Sequence, residues 1–487
     1  MNKENYDEEN SVQIINTSKD EYPRMYFVYI PKNLDIDELV ERYPPNINRF
    51  NKDKLAYVVS LIYSIPMRLK DYDFQLQDGY TPINSVILKT RVREYKEYLI
   101  YLVRVGVLEK RSLFKYQAGL TSSGYRFTLR YNKDIRKYII TWKRLIKAIC
   151  KRKRTSKEVF VPITANTMDY LEKWWNDDLE FDYLGAKKWL FNLYLEEREN
   201  EIPHCERKYY SRKIIIEKFK DRDYILHQDS TSGRVHTILT QLKGELRQFI
   251  KYKGEPLMAI DIKNSQPYLS LSILNPTKYK DNGIRDKIYK YNNEASSTIM
   301  LALCNYPNYD TDDIKVFTEL VANGRFYEAF GDQLQKKQLI DEPCPSKRRK
   351  KAKQIMFSSM FGHNNEKCKV IDPETKKVRY FPNEGMILFK EQFPSVHHIF
   401  KIIKKNKHNA LACILQNLEA EIVLHKACKI ITDIRPEAPL FTLHDSIITT
   451  EENVHYVKEV LSKVLFEAIG VAPAIKIEHW NEKMEAA

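Results

Sequence analysis

The segment Lys347-Arg-Arg-Lys-Lys-Ala-Lys-Gln-Ile-Met-Phe-Ser-Ser-Met-Phe-Gly362 sets Arg349, Lys353, Phe357 and Phe361 at successive intervals of four residues. On an α-helix, positions four apart share a face, so two cations and two aromatic rings would form one stripe. Cations grip phosphate oxygens and rings lie against bases, so this stripe suits a nucleoside triphosphate. A basic surface helix with an incidental aromatic accounts for the charges, but not for both rings sharing the face with Arg349 and Lys353.

To either side of this segment, a carboxylate follows an apolar run. Pro256-Leu-Met-Ala-Ile-Asp261-Ile262 precedes Lys263-Asn264-Ser265-Gln266-Pro267 and a helical pattern through Leu269, Ile273 and Leu274. A buried strand would deliver Asp261 at its C-terminal tip. Leu440-Phe-Thr-Leu-His444-Asp445-Ser446-Ile-Ile-Thr449 reads as two short strands around a tight turn that carries Asp445. Taken singly, an Asp after a strand is far more often a turn residue than a metal ligand. Two carboxylates at adjacent strand ends, however, can hold two Mg²⁺ ions about 4 Å apart, the arrangement used for in-line phosphoryl transfer.

Composition narrows the partners. The chain has 487 residues, and 80 Lys+Arg against 65 Asp+Glu give a formal charge of +15. The pI is about 9.1. An apolar fraction of 43% excludes a disordered or collagen-like chain. The positive charge with 12% aromatics favours a polyanion, nucleic acid first. No apolar run is long enough to span a bilayer, so no membrane partner is expected. Met1 to Asp20 lacks the apolar core of a secretory signal, so a cytoplasmic location is expected. Seven cysteines stand singly, without zinc-site or redox spacing, and read as reduced thiols.

The N-terminal half is less specific. Residues 1–45 read as a flexible arm, and order is expected to begin near Lys52. From Thr90 to Gly106, Val92, Tyr95, Leu99, Leu102 and Val103 fall at helical spacing, with Arg91, Arg93, Lys96 and Arg104 largely elsewhere on the wheel. A strand at Val107-Leu-Glu109, a turn at Ser122-Ser-Gly124 and a strand at Tyr125-Arg-Phe-Thr-Leu129 follow. With a helix near Leu55 to Ile65, residues 46–140 resemble a winged helix, read either as a duplex DNA binder through its basic helix or as a protein-docking module. The run Lys151-Arg-Lys-Arg154 marks a boundary. Residues 141–225 read as a helical linker or thumb-like region with Trp174, Trp175, Trp189, Leu190, Leu193 and Tyr194 in its core.

The segments of the C-terminal half resemble the motifs of family A DNA polymerases, the DNA polymerase I-like class. Arg349, Lys353, Phe357, Phe361 and Gly362 match motif B, with Phe361 where that family usually has Tyr. Asp261 with Ser265-Gln266 resembles motif A, with two extra residues between the Asp and the Ser-Gln. His444-Asp445 resembles motif C, with Ser446 where the family's DNA polymerases usually have Glu. Thr231-Ser-Gly-Arg234 is similar to the family's Thr-Gly-Arg segment, and Gln416-Asn-Leu-Glu-Ala-Glu-Ile-Val423 to the helix before motif C. These segments keep family order over roughly 225–487, about half the chain.

The resemblance implies an α+β fold: a right-hand polymerase palm and fingers over 226–487, with fingers about 277–400, behind the winged-helix-like domain. It implies a template-directed DNA polymerase acting on dNTPs and a DNA primer-template. Asp261, Asp445 and the Ile262 carbonyl would bind two Mg²⁺ ions, with Mn²⁺ as an alternative. Arg349 and Lys353 would hold the triphosphate, Lys353 also protonating the pyrophosphate. Phe357 would stack on the nucleotide, with Phe361 and Gly362 by the templating base. Arg234, Gln266, Gln416 and His444 would touch primer or template. Tyr268, where the family's sugar gate falls when Ser265-Gln266 is aligned, is expected to be a steric gate. No proofreading exonuclease is expected, and the combination suits replication or defence of a mobile element such as a plasmid or phage. Single-subunit phage-type RNA polymerases share this palm and the His-Asp-Ser of motif C, so an RNA polymerase or primase stays open. So do a terminal transferase and a DNA-binding initiator with a non-catalytic palm.

Overall fold

Tyr26-Phe-Val-Tyr-Ile-Pro31 is aromatic and β-branched, the composition that fits a pleated, half-buried surface. In the computed structural model, which describes residues 24–66, 79–111, 123–150, 168–224, 226–229, 231–371 and 378–480, this run is strand β1. Helix α1 (Ile36–Arg42) follows, its N-terminus capped by the Asp35 carboxylate, which accepts from the Asp37 and Glu38 amides. Val28, Ile30, Leu34, Ile36 and Leu39 are buried. The arm expected over residues 1–45 is therefore corrected from Tyr26 onward, because these side chains enter the core; residues 1–23 lie outside the described ones.

The chain divides into two units, the first comprising Met1–Phe160, Glu180–Ile225 and Thr237–Ile250. Its elements continue with α2 (Lys52–Ser64), β2 (Thr81–Ile83), α3 (Ser85–Arg91), α4 (Tyr95–Arg104), β3 (Leu108–Lys110), β4 (Ser123–Phe127), β5 (Ile135–Ile140) and α5 (Lys143–Cys150). Strand β5 pairs antiparallel with β1, Tyr26 opposite Ile140. The other three strands form a sheet in the order β2-β4-β3. The helix expected from Thr90 to Gly106 is two helices, because buried Val92 takes an extended conformation between them. Helix α4 buries Tyr95, Tyr98, Leu99, Tyr101 and Leu102, leaving Lys96, Ile100 and Arg104 exposed. The turn residue Ser122 and the run Lys151–Arg154 fall outside the described residues. Helices α6 (Tyr183–Glu199) and α7 (Cys205–Lys220) belong to this unit, with Ile214 in the same core as α2, so this part of the expected 141–225 linker is not a separate region.

The second unit comprises Val161–Leu179, Leu226–His236 and Lys251–Ala487. It runs through β6 (Glu255–Ile262), α8 (Ser265–Ser270), α9 (Ile284–Asn292), α10 (Ser296–Cys304), α11 (Asp312–Ala322), α12 (Phe326–Lys336) and α13 (Pro345–Phe361). A hairpin of β7 (Lys367–Ile371) and β8 (Val378–Pro382), then α14 (Glu384–Gln392), α15 (Pro394–Ile403) and α16 (Ala410–Ala420) follow. Helix α16 continues as a π-helix over Glu421–Cys428 into α17 (Lys429–Ile434). The chain closes with β9 (Phe441–Leu443), β10 (Ser446–Thr450), α18 (Val454–Ile469) and β11 (Ile475–His479). Strands β9, β10, β6 and β11 form an antiparallel sheet in that order. Helix α18 packs on β6 and β10. Trp175 meets Phe441 edge to face at 5.3 Å, while Phe317, Phe326, Phe389, Phe393 and Phe400 make an aromatic core among the helices. Helices and antiparallel sheets thus mix within this unit. Among the described residues, no helix is long and apolar enough to cross a membrane.

Candidate active site

Strand β6 is an apolar run, with Leu257 through Ile260 and Ile262 buried, and this burial fixes where Asp261 emerges. Asp261 stands opposite Ser446, the first residue of β10, in the antiparallel register. The β9–β10 hairpin turns on His444-Asp445, with His444 left-handed at φ 58°. The Ser446 hydroxyl donates to Asp261 Oδ1 at 2.6 Å. Burial pushes the Asp261 carboxyl up, the Asp445 charge pushes it further, and Ser446 and the Lys353 ammonium pull it back. Two carboxylates in mutual electrostatic reach at a sheet end form an oxygen donor set of the kind Mg²⁺ or Mn²⁺ takes. Ile262 follows Asp261 with its side chain buried, leaving only its backbone for such a role. Among the described residues, no group of three or more His, Cys, Asp or Glu side chains is placed to hold a metal ion, so the side-chain donor set here is the two carboxylates alone.

Helix α13 carries the cation–aromatic stripe as its spacing requires. Lys353 Nζ lies 5.7 Å from the Phe357 ring centroid, and the Phe357 and Phe361 rings meet edge to face at 5.2 Å. Tyr327, at the start of α12, receives both cations on its ring, Arg349 at 5.6 Å and Lys353 at 5.9 Å. Arg349 Nε also donates to Glu328 at 2.7 Å. Burial pushes the Tyr327 phenol up, and Asp445 and Glu328 add to that while Arg349 opposes it. Gly362 ends the helix, and a Cβ there would overlap the Ser358 carbonyl oxygen. The buried Lys404 ammonium donates to the Ser359 carbonyl at 2.9 Å, satisfying a helix-end acceptor.

The four residues expected at primer or template occupy neighbouring elements. Arg234 sits in a turn held by the Asp229 carboxylate, which accepts from the Thr231 and Ser232 amides. Gly233, at φ 73°, lies where a Cβ would stand 3.2 Å from Ala420 and Asn417 of α16. Arg234 donates through Nε and Nη2 to Glu419, at 2.7 and 2.9 Å, and Gln266 Nε2 donates to the same carboxylate at 2.5 Å. Gln416 is half-buried one turn before Glu419 on α16. The His444 ring centroid lies 5.9 Å from that of His236.

Tyr268 departs from its expected role as a gate. Its ring is fully buried and its hydroxyl donates to the Val471 carbonyl at 2.7 Å. The two extra residues after Asp261 are spent on a left-handed Asn264 and the start of α8, which turn Tyr268 into the core. Sequence reasoning also missed Glu419 and Tyr327. The one available signal was that a buried-side Arg such as Arg234 needs a carboxylate; nothing local marks either residue.

No protein-family profile matches the chain, and no curated protein matches it. Among solved structures, the POL domain of Pol1 from M. smegmatis in complex with DNA primer-template and dNTP aligns at 12% identity and a TM-score of 0.27. The alignment covers 61% of this chain and 56% of that one, so the chain spans little more than half of that neighbour's length.

Proposed function

We propose that the second unit is a polymerase palm and fingers that catalyses template-directed transfer of dNTPs to a primer 3′-hydroxyl. The observation that carries this reading is the β6–β10 register that sets Asp261 against the Asp445-Ser446 turn, with Lys353 of the cation–aromatic face of α13 in electrostatic reach of the Asp261 carboxylate. A site that pairs two acidic oxygen donors with a row of cations and rings suits a triphosphate whose charge must be neutralised as it reacts. Asp261, Asp445 and the Ile262 carbonyl would hold two Mg²⁺ or Mn²⁺ ions, which when bound would supply charge neutralisation and activation of the 3′-hydroxyl. Ser446 orients Asp261 through its hydrogen bond. Arg349 and Lys353 bind the triphosphate, Phe357 stacks on the base, and Phe361 and Gly362 border the templating position. The primer 3′-hydroxyl releases its proton to solvent as its oxygen bonds to the α-phosphorus, the bond from that phosphorus to the β-phosphate oxygen breaks, and Lys353 gives a proton to the departing pyrophosphate and regains one from solvent.

In the first unit, the helix α4 face with Lys96 and Arg104 is proposed to contact duplex DNA in a winged-helix manner, with exposed Ile100 at its centre. A polymerase joined to such a unit suits replication or defence of a mobile element. A second reading, use of NTPs by an RNA polymerase or primase, is favoured by Ser446 after Asp445 and by the burial of the Tyr268 ring, whose hydroxyl is spent on the Val471 carbonyl.

The test is extension of a labelled primer-template with Mg²⁺ and dNTPs or NTPs in separate reactions, beside Asp445→Ala and a template-free control. Templated dNTP extension that the Asp445→Ala protein lacks is expected. Extension with NTPs alone would move the reading to RNA synthesis, and untemplated addition to a terminal transferase. A protein that binds DNA but extends nothing would overturn both polymerase readings in favour of an initiator.

A further inference from the structure

Glu419 lies near the C-terminal end of α16, just before the π-helical stretch, with 0% exposure, a position where a carboxylate is costly unless paired and hydrogen-bonded. Both of its oxygens are engaged. Oε1 accepts from Arg234 Nε, and Oε2 accepts from Arg234 Nη2 and Gln266 Nε2. This is the parallel two-bond fork that only a guanidinium makes, so Glu419 fixes the plane of Arg234 as well as its charge. Buried ion pairs are poor sources of stability, and their better-attested use is to fix a geometry.

What the arrangement leaves over is informative. Arg234 has five N–H donors. Among the described residues its Nη1 has no hydrogen-bond partner, and it is not among the polar atoms sealed from solvent. Both Glu419 oxygens accept in this arrangement, so Gln266 turns its amide nitrogen Nε2 to them and its carbonyl Oε1 remains. That Oε1 is buried and unpartnered, and so are Oδ1 and Nδ2 of Asn264, two residues nearer to Asp261. These atoms are sealed from solvent whereas Nη1 is not, so the open edge of Arg234 is the part that can meet a ligand. The Asp445 charge also acts on Glu419, placing the fork within electrostatic reach of that carboxylate.

We propose that Glu419 is a positioning residue: it holds Arg234, braced by Gln266, so that the free guanidinium edge meets a backbone phosphate of the bound primer-template. This rests on the polymerase reading of the same site. Glu419 acts through Arg234 and does not itself touch nucleic acid.

The experiment measures the dissociation constant of a fluorescent primer-template against salt concentration by anisotropy, for the full chain and for Glu419→Gln, Arg234→Ala, Arg234→Lys and the double variant Arg234→Ala/Glu419→Gln. Losing one phosphate contact lowers the salt slope by about 0.9. Glu419→Gln and Arg234→Ala should each lose about that much and bind roughly tenfold more weakly, and the double variant should lose no more than either. The maximal extension rate at saturating primer-template should be kept by Glu419→Gln, with the loss confined to KM. A destabilised fold alone would not change the salt slope. An unchanged slope for Glu419→Gln, or additive losses in the double variant, would overturn the proposal. If circular dichroism shows that Glu419→Gln does not fold, Arg234→Lys decides: it keeps the charge but not the fork, so weakened binding supports positioning and wild-type binding overturns it. The two readings fail separately. A wild-type protein that extends no primer yet shows this slope pattern loses the polymerase reading alone, whereas an extending protein whose slope ignores Glu419 loses the positioning role alone.

Discussion

The places of Asp261 and Asp445 at strand ends and of Lys353 on a helix face could be read from sequence because each sits in a local pattern that names its environment: a carboxylate after an apolar run, or a cation at helical spacing from aromatic rings. Glu419 could not. A Glu within a helix ordinarily faces solvent, and the partner that keeps this one buried, Arg234, is 185 residues away in sequence. The burial of Tyr268 was illegible for a related reason. A motif alignment fixes its order along the chain, but the left-handed Asn264 decides which way the following helix points. Tyr268→Phe should therefore cost about 1 kcal/mol through loss of the Val471 hydrogen bond and leave the choice between dNTPs and NTPs unchanged. Urea denaturation and a competition between the two nucleotide classes would check both halves of this expectation, and altered sugar selectivity would return Tyr268 to the site.

Helix α13 was legible as an element because two cations and two rings seldom keep a period of four unless a helix face holds them together. The first helix pair was only half legible. The apolar period runs unbroken from Val92 to Val103, but burying Val92 in an extended conformation stops α3 and lets α4 start anew. Strand β1 was missed because five strand-forming residues inside a polar stretch look like noise until their partner, β5, is known. The C-terminal end of α13 gives an element-scale prediction. Gly362→Ala would drive its Cβ into the Ser358 carbonyl and shift the last turn, which carries Phe361 and is held by Lys404. The variant should raise KM for the incoming nucleotide more than it lowers the melting temperature. Steady-state kinetics beside a thermal melt would show the split, and equal wild-type KM values would count against Phe361 and Gly362 bordering the nucleotide.

At the scale of the whole molecule, linear boundaries could not reveal that residues 180–225 and 237–250 return to the first unit, since nothing in the local composition changes there. The second unit also carries an acid-sensitive group. His397 is pushed down to about 4, first by burial and then by the neighbouring charges of Lys404, Lys401 and Lys390. An ordinary His titrates near 6.5. Between those values the unfolded chain takes up a proton that the folded one refuses, so stability is lost as pH falls through this window and is unaffected by His397 above it. Lys404, pushed down to about 8 by its burial, adds a second slope of the same sign between about 8 and 10.5, the ordinary lysine value. Denaturation midpoints across pH 4 to 7 should fall toward acid in the wild type and be flatter in His397→Leu; parallel curves would contradict this.

The tight turn before Asp445 is built on a histidine at φ 58°, a conformation that a glycine adopts without penalty and a histidine does not. Selection for a sturdier protein would therefore favour Gly at position 444, and its absence implies an opposing pressure on the imidazole. His444→Gly should melt at a higher temperature and turn over more slowly, a trade between endurance and output concentrated in one residue.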